Sequence, residues 1–203
     1  MQSKKLYELM ELVNNFYLEQ LENNKNSKTV HKYLHERNIN KEVVTEFQLG
    51  YAPPGWDNIV SELGKSDESI KNLLSIGVII ENDRGGYYDR FRDRLIFPIR
   101  DQRNRIIGFG GRVLDDGVPK YLNSPETPIF QKGRELYGLS QARKALKNFN
   151  EIYIVEGYMD VVSLARASIK SVVAVLGTAI STWHINCLLY TSPSPRDATL
   201  SSM

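Results

Sequence analysis

Cysteine is almost absent from this chain. The single Cys187 among 203 residues excludes a disulfide framework and any zinc site built on several cysteines. Long apolar runs are missing too. No stretch approaches the roughly 20 residues that a membrane-spanning helix needs, and the N-terminus carries no signal-peptide core. A soluble, cytoplasmic protein with no membrane partner is the expectation. Internal repeats are absent, and the net charge is only +2. That charge is unevenly placed, however. Residues 84–147 hold 14 Lys and Arg against 7 Asp and Glu, a local balance of +7 that leaves −5 for the remainder. A basic middle of this kind suits a polyanion-binding surface, and an ordinary solvated face is the alternative. At 41% hydrophobic content there is enough apolar material for a core, divided between two small lobes.

The first lobe reads as helical. Leu6, Leu9, Met10, Val13, Phe16, Tyr17 and Leu21 recur at three- and four-residue spacing, which predicts an amphipathic opening helix. A polar loop at 23–28 leads into helices over 27–36 and 41–47. Tyr51-Ala52-Pro53-Pro54-Gly55 reads as a turn. Two more helices span 56–63 and 66–76, the second stopped by Gly77. After Gly77 the pattern changes to extended segments at 78–80, 94–100 and 105–113. An ordered loop follows at 119–128, then a helix over 139–149. From Glu151 a βαβ rhythm appears: strand 152–155, helix 158–167, strand 171–176, a turn at Gly177-Thr178, and a helix starting near Ser181.

Two places could carry chemistry. Glu156 follows the apolar run Ile152-Tyr153-Ile154-Val155 and precedes a helix, so it stands at the carboxyl end of a parallel sheet, where open α/β sheets bind ligands. A carboxylate there can hold a hard cation such as Mg²⁺ against a phosphate, or it can complement the positive end of the helix. The second place is the basic block. Arg90, Arg92 and Arg94 alternate with Phe91 and Asp93, and in an extended segment all three would share one face. Gly108-Phe109-Gly110-Gly111-Arg112 would let backbone approach a ligand while Arg112 supplies charge. It is no dinucleotide fingerprint, because the spacing is wrong and no helix follows. Lys120-Tyr121-Leu122-Asn123-Ser124 places a cation, a ring and two hydrogen-bonding side chains in a loop, suited to a nucleotide or a single strand. Lys132-Gly133-Arg134 adds two further cations.

Read together and in order, Tyr88-Asp89-Arg90-Phe91-Arg92-Asp93-Arg94, Ile107-Gly108-Phe109-Gly110-Gly111-Arg112, the stretch Pro119-Lys120-Tyr121-Leu122-Asn123-Ser124-Pro125-Glu126-Thr127, Phe130-Gln131-Lys132-Gly133 and Val155-Glu156-Gly157-Tyr158-Met159-Asp160 resemble the successive motifs of bacterial DnaG-type primases. Tyr51-Ala52-Pro53-Pro54-Gly55-Trp56 fits as well. The resemblance implies an α+β N-terminal lobe over 1–148, helical to 77 and strand-rich and basic from 78, followed by the start of an α/β Toprim domain with a parallel sheet over 149–186. It implies a nucleotidyltransferase that makes short RNA primers during DNA replication. The implied partners are a single-stranded DNA template, ribonucleoside triphosphates, the RNA primer and a replicative helicase.

By the same carry-over, Glu156 would hold Mg²⁺ or Mn²⁺. Glu156, Asp160, Lys120 and Lys132 would serve catalysis. Arg37, Arg90, Arg92, Arg112, Lys120, Tyr121, Asn123 and Lys132 would line the template and nucleotide groove. The Asp-x-Asp pair that such domains place after a later strand is absent. The Ser/Pro-rich residues 187–203 read as a non-native or disordered tail. Zinc is expected only in the family's separate N-terminal domain, and the helicase contact only in its C-terminal one, so the chain reads as an interior fragment. The rival readings are another Toprim nuclease or topoisomerase, and a non-catalytic single-strand-binding module.

Overall fold

The computed structural model describes residues 2–115, 117–145 and 151–189, and the chain forms two compact units, Met1–Gln131 and Lys132–Met203. In chain order the first unit carries α1 (Gln2–Asn23), α2 (Lys28–Glu36), α3 (Lys41–Phe47), β1 (Gly50–Ala52), α4 (Asn58–Leu63), α5 (Asp67–Ser75), β2 (Ile79–Glu81), β3 (Tyr87–Asp89), β4 (Arg94–Arg100), β5 (Ile106–Val113) and β6 (Tyr121–Asn123). Leu6, Met10, Val13, Tyr17 and Leu21 of α1 are all buried, the stripe that the spacing predicts. Leu6, Met10, Val13 and Tyr17 pack against one face of an antiparallel sheet ordered β1-β4-β5-β6. Met10, Val13 and Tyr17 are 0% exposed, and each such side chain contributes about 1.5–3 kcal/mol of burial. The approach is close. A Cβ at Gly50 would stand 2.7 Å from Tyr17 Cβ, and the Tyr17 ring meets Phe109 edge-on at 5.4 Å.

Local signals place most helix ends. Asn40 caps α3, its Oδ1 accepting from the Val43 amide at 3.0 Å, and Gln48 ends that helix in the left-handed region at φ 51°. Ser66 and Ser69 form a reciprocal capping box at the start of α5, which Gly77 stops with φ +69°. α4 is different. Its own N-cap residue Asp57 makes no side-chain cap bond. Instead Asp89, at the end of β3, accepts from the Ile59 amide at 2.8 Å and the Val60 amide at 3.1 Å. A residue 30 positions downstream thus satisfies the open amides of the helix. Burial raises the Asp89 pKa above the ordinary aspartate range, while those backbone donors pull it down.

Three strands differ from expectation. The 51–55 stretch is not all turn: Gly50–Ala52 pairs antiparallel with Arg94–Ile96, and only the residues after it turn. Tyr87–Asp89 forms a hairpin with β2. Tyr121–Asn123, expected within a loop, is an edge strand of the main sheet. Each is three residues long, too short for a two-residue period to declare itself.

The second unit begins with a 3-10 turn at Lys132–Arg134, then α6 (Leu139–Ala145), β7 (Tyr153–Val155), α7 (Tyr158–Arg166), β8 (Val172–Ala174) and α8 (Thr182–Leu189). β7 and β8 pair in parallel across α7, the expected βαβ unit. The division at residue 131 precedes the boundary expected at 148. Tyr137 exchanges both backbone hydrogen bonds with Ala174, at 2.9 and 3.0 Å, and Leu136, Leu139 and Ala142 pack with Val173, so this stretch belongs with the βαβ unit. Cys187 and Leu188 join that core, although the tail was expected from 187. The remainder of the 139–149 helix and residues 190–203 lie outside the described residues.

Asp89→Ala leaves two amides of α4 without an acceptor and should destabilise the chain by roughly 1–3 kcal/mol. Because the folded pKa of Asp89 is raised, the fold favours its protonated form. The advantage of wild type over the variant should therefore be greatest in acid and narrow as pH rises through the folded pKa. Urea melts of both chains across that range measure it, and a gap that widens with pH would contradict the assignment.

Candidate functional site

The sheet of the first unit positions a row of side chains on the face away from α1. Tyr51 pairs with Leu95, Leu95 with Arg112, and Arg112 with Tyr121, so all four project to the same side. Arg112 is only 8% exposed. Its guanidinium carbon lies 4.3 Å over the Tyr33 ring of α2 and 5.8 Å over Tyr121. Arg37, just past the end of α2, lies 4.8 Å over the other member of its helix turn, Tyr33. The result is a run of cation, ring, cation, ring: Arg37, Tyr33, Arg112, Tyr121. Each contact is worth about 0.5–2 kcal/mol. A ring holds a cation without cancelling its charge, so the run stays electropositive. The buried Arg112 Nε has no hydrogen-bond partner. Tyr121 is 38% exposed, Lys120 beside it is exposed, and Asn123 follows on the same side of β6.

Other expected site residues fall elsewhere. Arg90, Arg92 and Arg94 do not share a face. β3 ends at Asp89, Asp93 has φ +47°, and that left-handed residue breaks the alternation before Arg94 opens β4. Arg92 stacks 4.2 Å over Trp56 and 5.4 Å over Tyr88 and donates to the Asp89 carbonyl. Arg90 is half-buried, its Nε unpartnered, and burial lowers its pKa. Arg94 pairs with Val113, on the side of β5 that carries Gly111 and Phe109. Asp93 has its own role, since its Oδ1 accepts from the Tyr51 hydroxyl at 2.6 Å, and burial together with this bond raises the Tyr51 pKa.

The glycines of β5 serve packing and not ligand approach. A Cβ at Gly108 would lie 3.2 Å from the Phe130 ring, and one at Gly111 would lie 2.7 Å from Phe91 and 3.1 Å from Arg94 Cδ. All of β5 is buried. Likewise Ser124 is fully buried, and its Oγ accepts from the Phe109 amide at 2.9 Å, bracing β6 against β5.

In the second unit, Glu156 is exposed between the end of β7 and the start of α7, at the carboxyl end of the parallel pair. Asp160 uses its Oδ2 to accept from the Gly157 amide at 3.1 Å, capping α7 at its N-terminus. Lys132 lies in the 3-10 turn, which is tied to α8 by Ser181 Oγ donating to the Gly133 carbonyl at 3.3 Å and Trp183 Nε1 donating to the Arg134 carbonyl at 3.0 Å. Among the described residues no three His, Cys, Asp or Glu stand together as metal ligands. Glu156 alone does not make a Mg²⁺ site, because that ion needs further anionic ligands or substrate phosphates. Tyr33 was not anticipated. Its signal was available in the four-residue spacing to Arg37, which puts a ring and a cation on one helix face.

The sequence profile of the family described as "DNA primase catalytic core, N-terminal domain" matches residues 16–143, and that of the Toprim domain matches residues 150–193. The DNA primase of Pseudomonas putida is 50% identical over 190 residues, which make up 93% of this chain and 29% of that protein. The DNA primase of Escherichia coli K12 is 48% identical over 187 residues, 92% of this chain and 32% of the relative. The chain therefore spans about a third of the length of these curated relatives. Among solved structures, a DnaG primase catalytic domain bound to ssDNA aligns with a TM-score of 0.89 at 47% identity, covering 94% of this chain and 61% of that one. The RNA polymerase domain of Mycobacterium tuberculosis primase, in complex with double-stranded DNA bearing a 6-nucleotide overhang, aligns with a TM-score of 0.85 at 29% identity, covering 93% and 59%.

Gly111→Ala separates packing from ligand approach. The new methyl group meets Phe91, and the expected result is a loss of roughly 1–3 kcal/mol in stability, read by thermal or urea unfolding. A variant that unfolds like wild type and loses only ligand binding would restore the other role.

Proposed function

The chain belongs to the DNA primase catalytic core family, and on that premise we propose that its protein is a DNA-directed RNA polymerase that lays short RNA primers on single-stranded DNA. The observation that carries this reading is the Arg37-Tyr33-Arg112-Tyr121 run. Exposed ring surface stacks bases without regard to sequence, and unneutralised guanidiniums attract phosphates. That pairing suits a template strand, and Lys120 and Asn123 extend it along β6. Relatives solved with single-stranded DNA and with an overhanging duplex support the same ligand for this chain.

The reaction is nucleotidyl transfer. The primer 3′-hydroxyl oxygen bonds to the α-phosphorus of a ribonucleoside triphosphate, the bond to the bridging oxygen breaks, and pyrophosphate leaves. Lys120 and Lys132 are the cations that the family motifs assign to triphosphate charge. When bound, Mg²⁺ or Mn²⁺ would supply charge neutralisation at the transferred phosphate. Glu156 is the described carboxylate suited to it, and its remaining ligands have to come from outside the described residues. The helicase contact and any zinc belong to other parts of the protein. A cytoplasmic location follows from the replication role. Among the described residues no helix is long and apolar enough to cross a membrane.

Two measurements test the reading. For this chain, binding of a labelled single-stranded oligodeoxynucleotide should weaken linearly in log salt, and Lys120→Ala should reduce that slope by about 0.7. Binding that ignores salt would refute a phosphate-tracking face. In the intact protein, Glu156→Gln should lower primer synthesis by at least about 100-fold while leaving oligonucleotide affinity within twofold of wild type. Undiminished synthesis would remove Glu156 from the active site.

A further inference from the structure

We propose that Arg94 is a positioning residue for the Tyr121 ring, holding β6 in register from the opposite side of the sheet without touching nucleic acid, while the long, exposed Lys120 side chain reaches phosphate whether or not that register is kept. The proposal rests on the reading of the Arg37-Tyr33-Arg112-Tyr121 face as the template surface.

β6 is a weak element by itself. It has three residues at the edge of the sheet, paired to β5 only through Gly110, Gly111 and Arg112, and so short an edge strand contributes few ladder bonds. Yet Tyr121 has to stay in register with Arg112 for the ring to extend the run. Two bonds reinforce the entry to β6. The Val113 amide donates to the Lys120 carbonyl at 3.1 Å. Arg94 Nη1 donates to the Pro119 carbonyl at 2.9 Å and makes a longer contact of 3.4 Å to the Gly111 carbonyl.

Arg94 is built for this task. It is 8% exposed, and the described ion pairs do not include it. A buried guanidinium requires hydrogen-bond partners, and here the backbone carbonyls of Pro119 and Gly111 supply them. Its stem lies close against Gly111, with Cδ 3.1 Å from where a Cβ would stand. The second glycine of the Gly-Gly pair is thus the groove through which Arg94 reaches the β5–β6 turn. Arg94 shares the side of Gly111, while Arg112 and Tyr121 occupy the other. It is therefore placed to brace the strand and not to meet a ligand on the ring-lined face.

The test is anisotropy of a dye-labelled single-stranded oligodeoxynucleotide with the 203-residue chain at several salt concentrations. Arg94→Met should weaken binding about as much as Tyr121→Ala, roughly tenfold for one lost base stack, with the salt slope unchanged. The double variant Arg94→Met/Tyr121→Ala should bind no more weakly than Tyr121→Ala alone. Hydrogen exchange at the Val113 amide should accelerate in Arg94→Met while the amides between β4 and β5 stay protected. A slope reduced by about 0.7, as for Lys120→Ala, would show direct phosphate contact and overturn the proposal. So would additive losses, or wild-type affinity.

If Arg94→Met does not fold, Arg94→Lys, which keeps the charge on a shorter side chain that reaches the Pro119 carbonyl less well, should give the same pattern with a smaller loss. Should neither Tyr121→Ala nor Lys120→Ala alter binding, the template reading of the face fails. Val113 exchange in the Arg94 variant then still decides whether this side chain holds β6.

Discussion

The register between β4 and β5 is the constraint on which the first unit depends. Seven residue pairs join Arg94–Arg100 to Ile106–Val113, and every residue of β5 is buried. A slip of one position would exchange the two faces. Phe109 would leave the α1 side, and Arg112 would leave Tyr33 and Tyr121. Glycines make this register possible, because Phe130 lies against Gly108 while Phe91 and the Arg94 stem lie against Gly111. A motif with the look of a ligand loop is therefore a packing motif. It acts on the ligand face indirectly, by fixing which side chains reach it.

Charge management in this unit follows from the same layout. The arginines that matter are not neutralised by carboxylates. Arg37 and Arg112 rest on Tyr33, Arg92 on Trp56 and Tyr88, and Arg94 on backbone carbonyls. Arg105 shows the contrast. It forms a close pair with Asp101 at 2.6 Å on the β4–β5 turn and leans over Tyr7. Rings orient a guanidinium while leaving its net charge available to a polyanion, whereas the carbonyls that hold Arg94 serve to brace β6. A carboxylate would orient it equally well and cancel the attraction.

Much of this was legible beforehand, for identifiable reasons. α1 declared itself through its apolar stripe and the end of α5 through Gly77, because each is a short-range effect within a few residues. Glu156 was placed at a strand–helix junction by the apolar run before it. Family motifs pointed to Arg37, Arg112 and Tyr121, which the sheet and α2 bring together. The grouping of Arg90, Arg92 and Arg94 failed because one residue, Asp93, adopts a left-handed φ of 47°. A period-two pattern read through such a residue loses its phase. Asp160, which the motif marks as an active-site acid, also caps α7 in the fold, a contact that the motif did not announce.

The residues alone determined most helices, the longer strands and their order, the family and the electropositive character of the middle of the chain. Those properties depend on composition, on spacing within one element, and on motifs that survive without coordinates. Only the tertiary structure decided which cations face the same way, that Asp89 caps a helix 30 residues upstream, and that Arg94 works from behind the sheet. These depend on pairings between positions far apart in the chain. Such pairings are set by how strands align and how closely backbones can approach, and neither quantity is written in any local stretch of sequence.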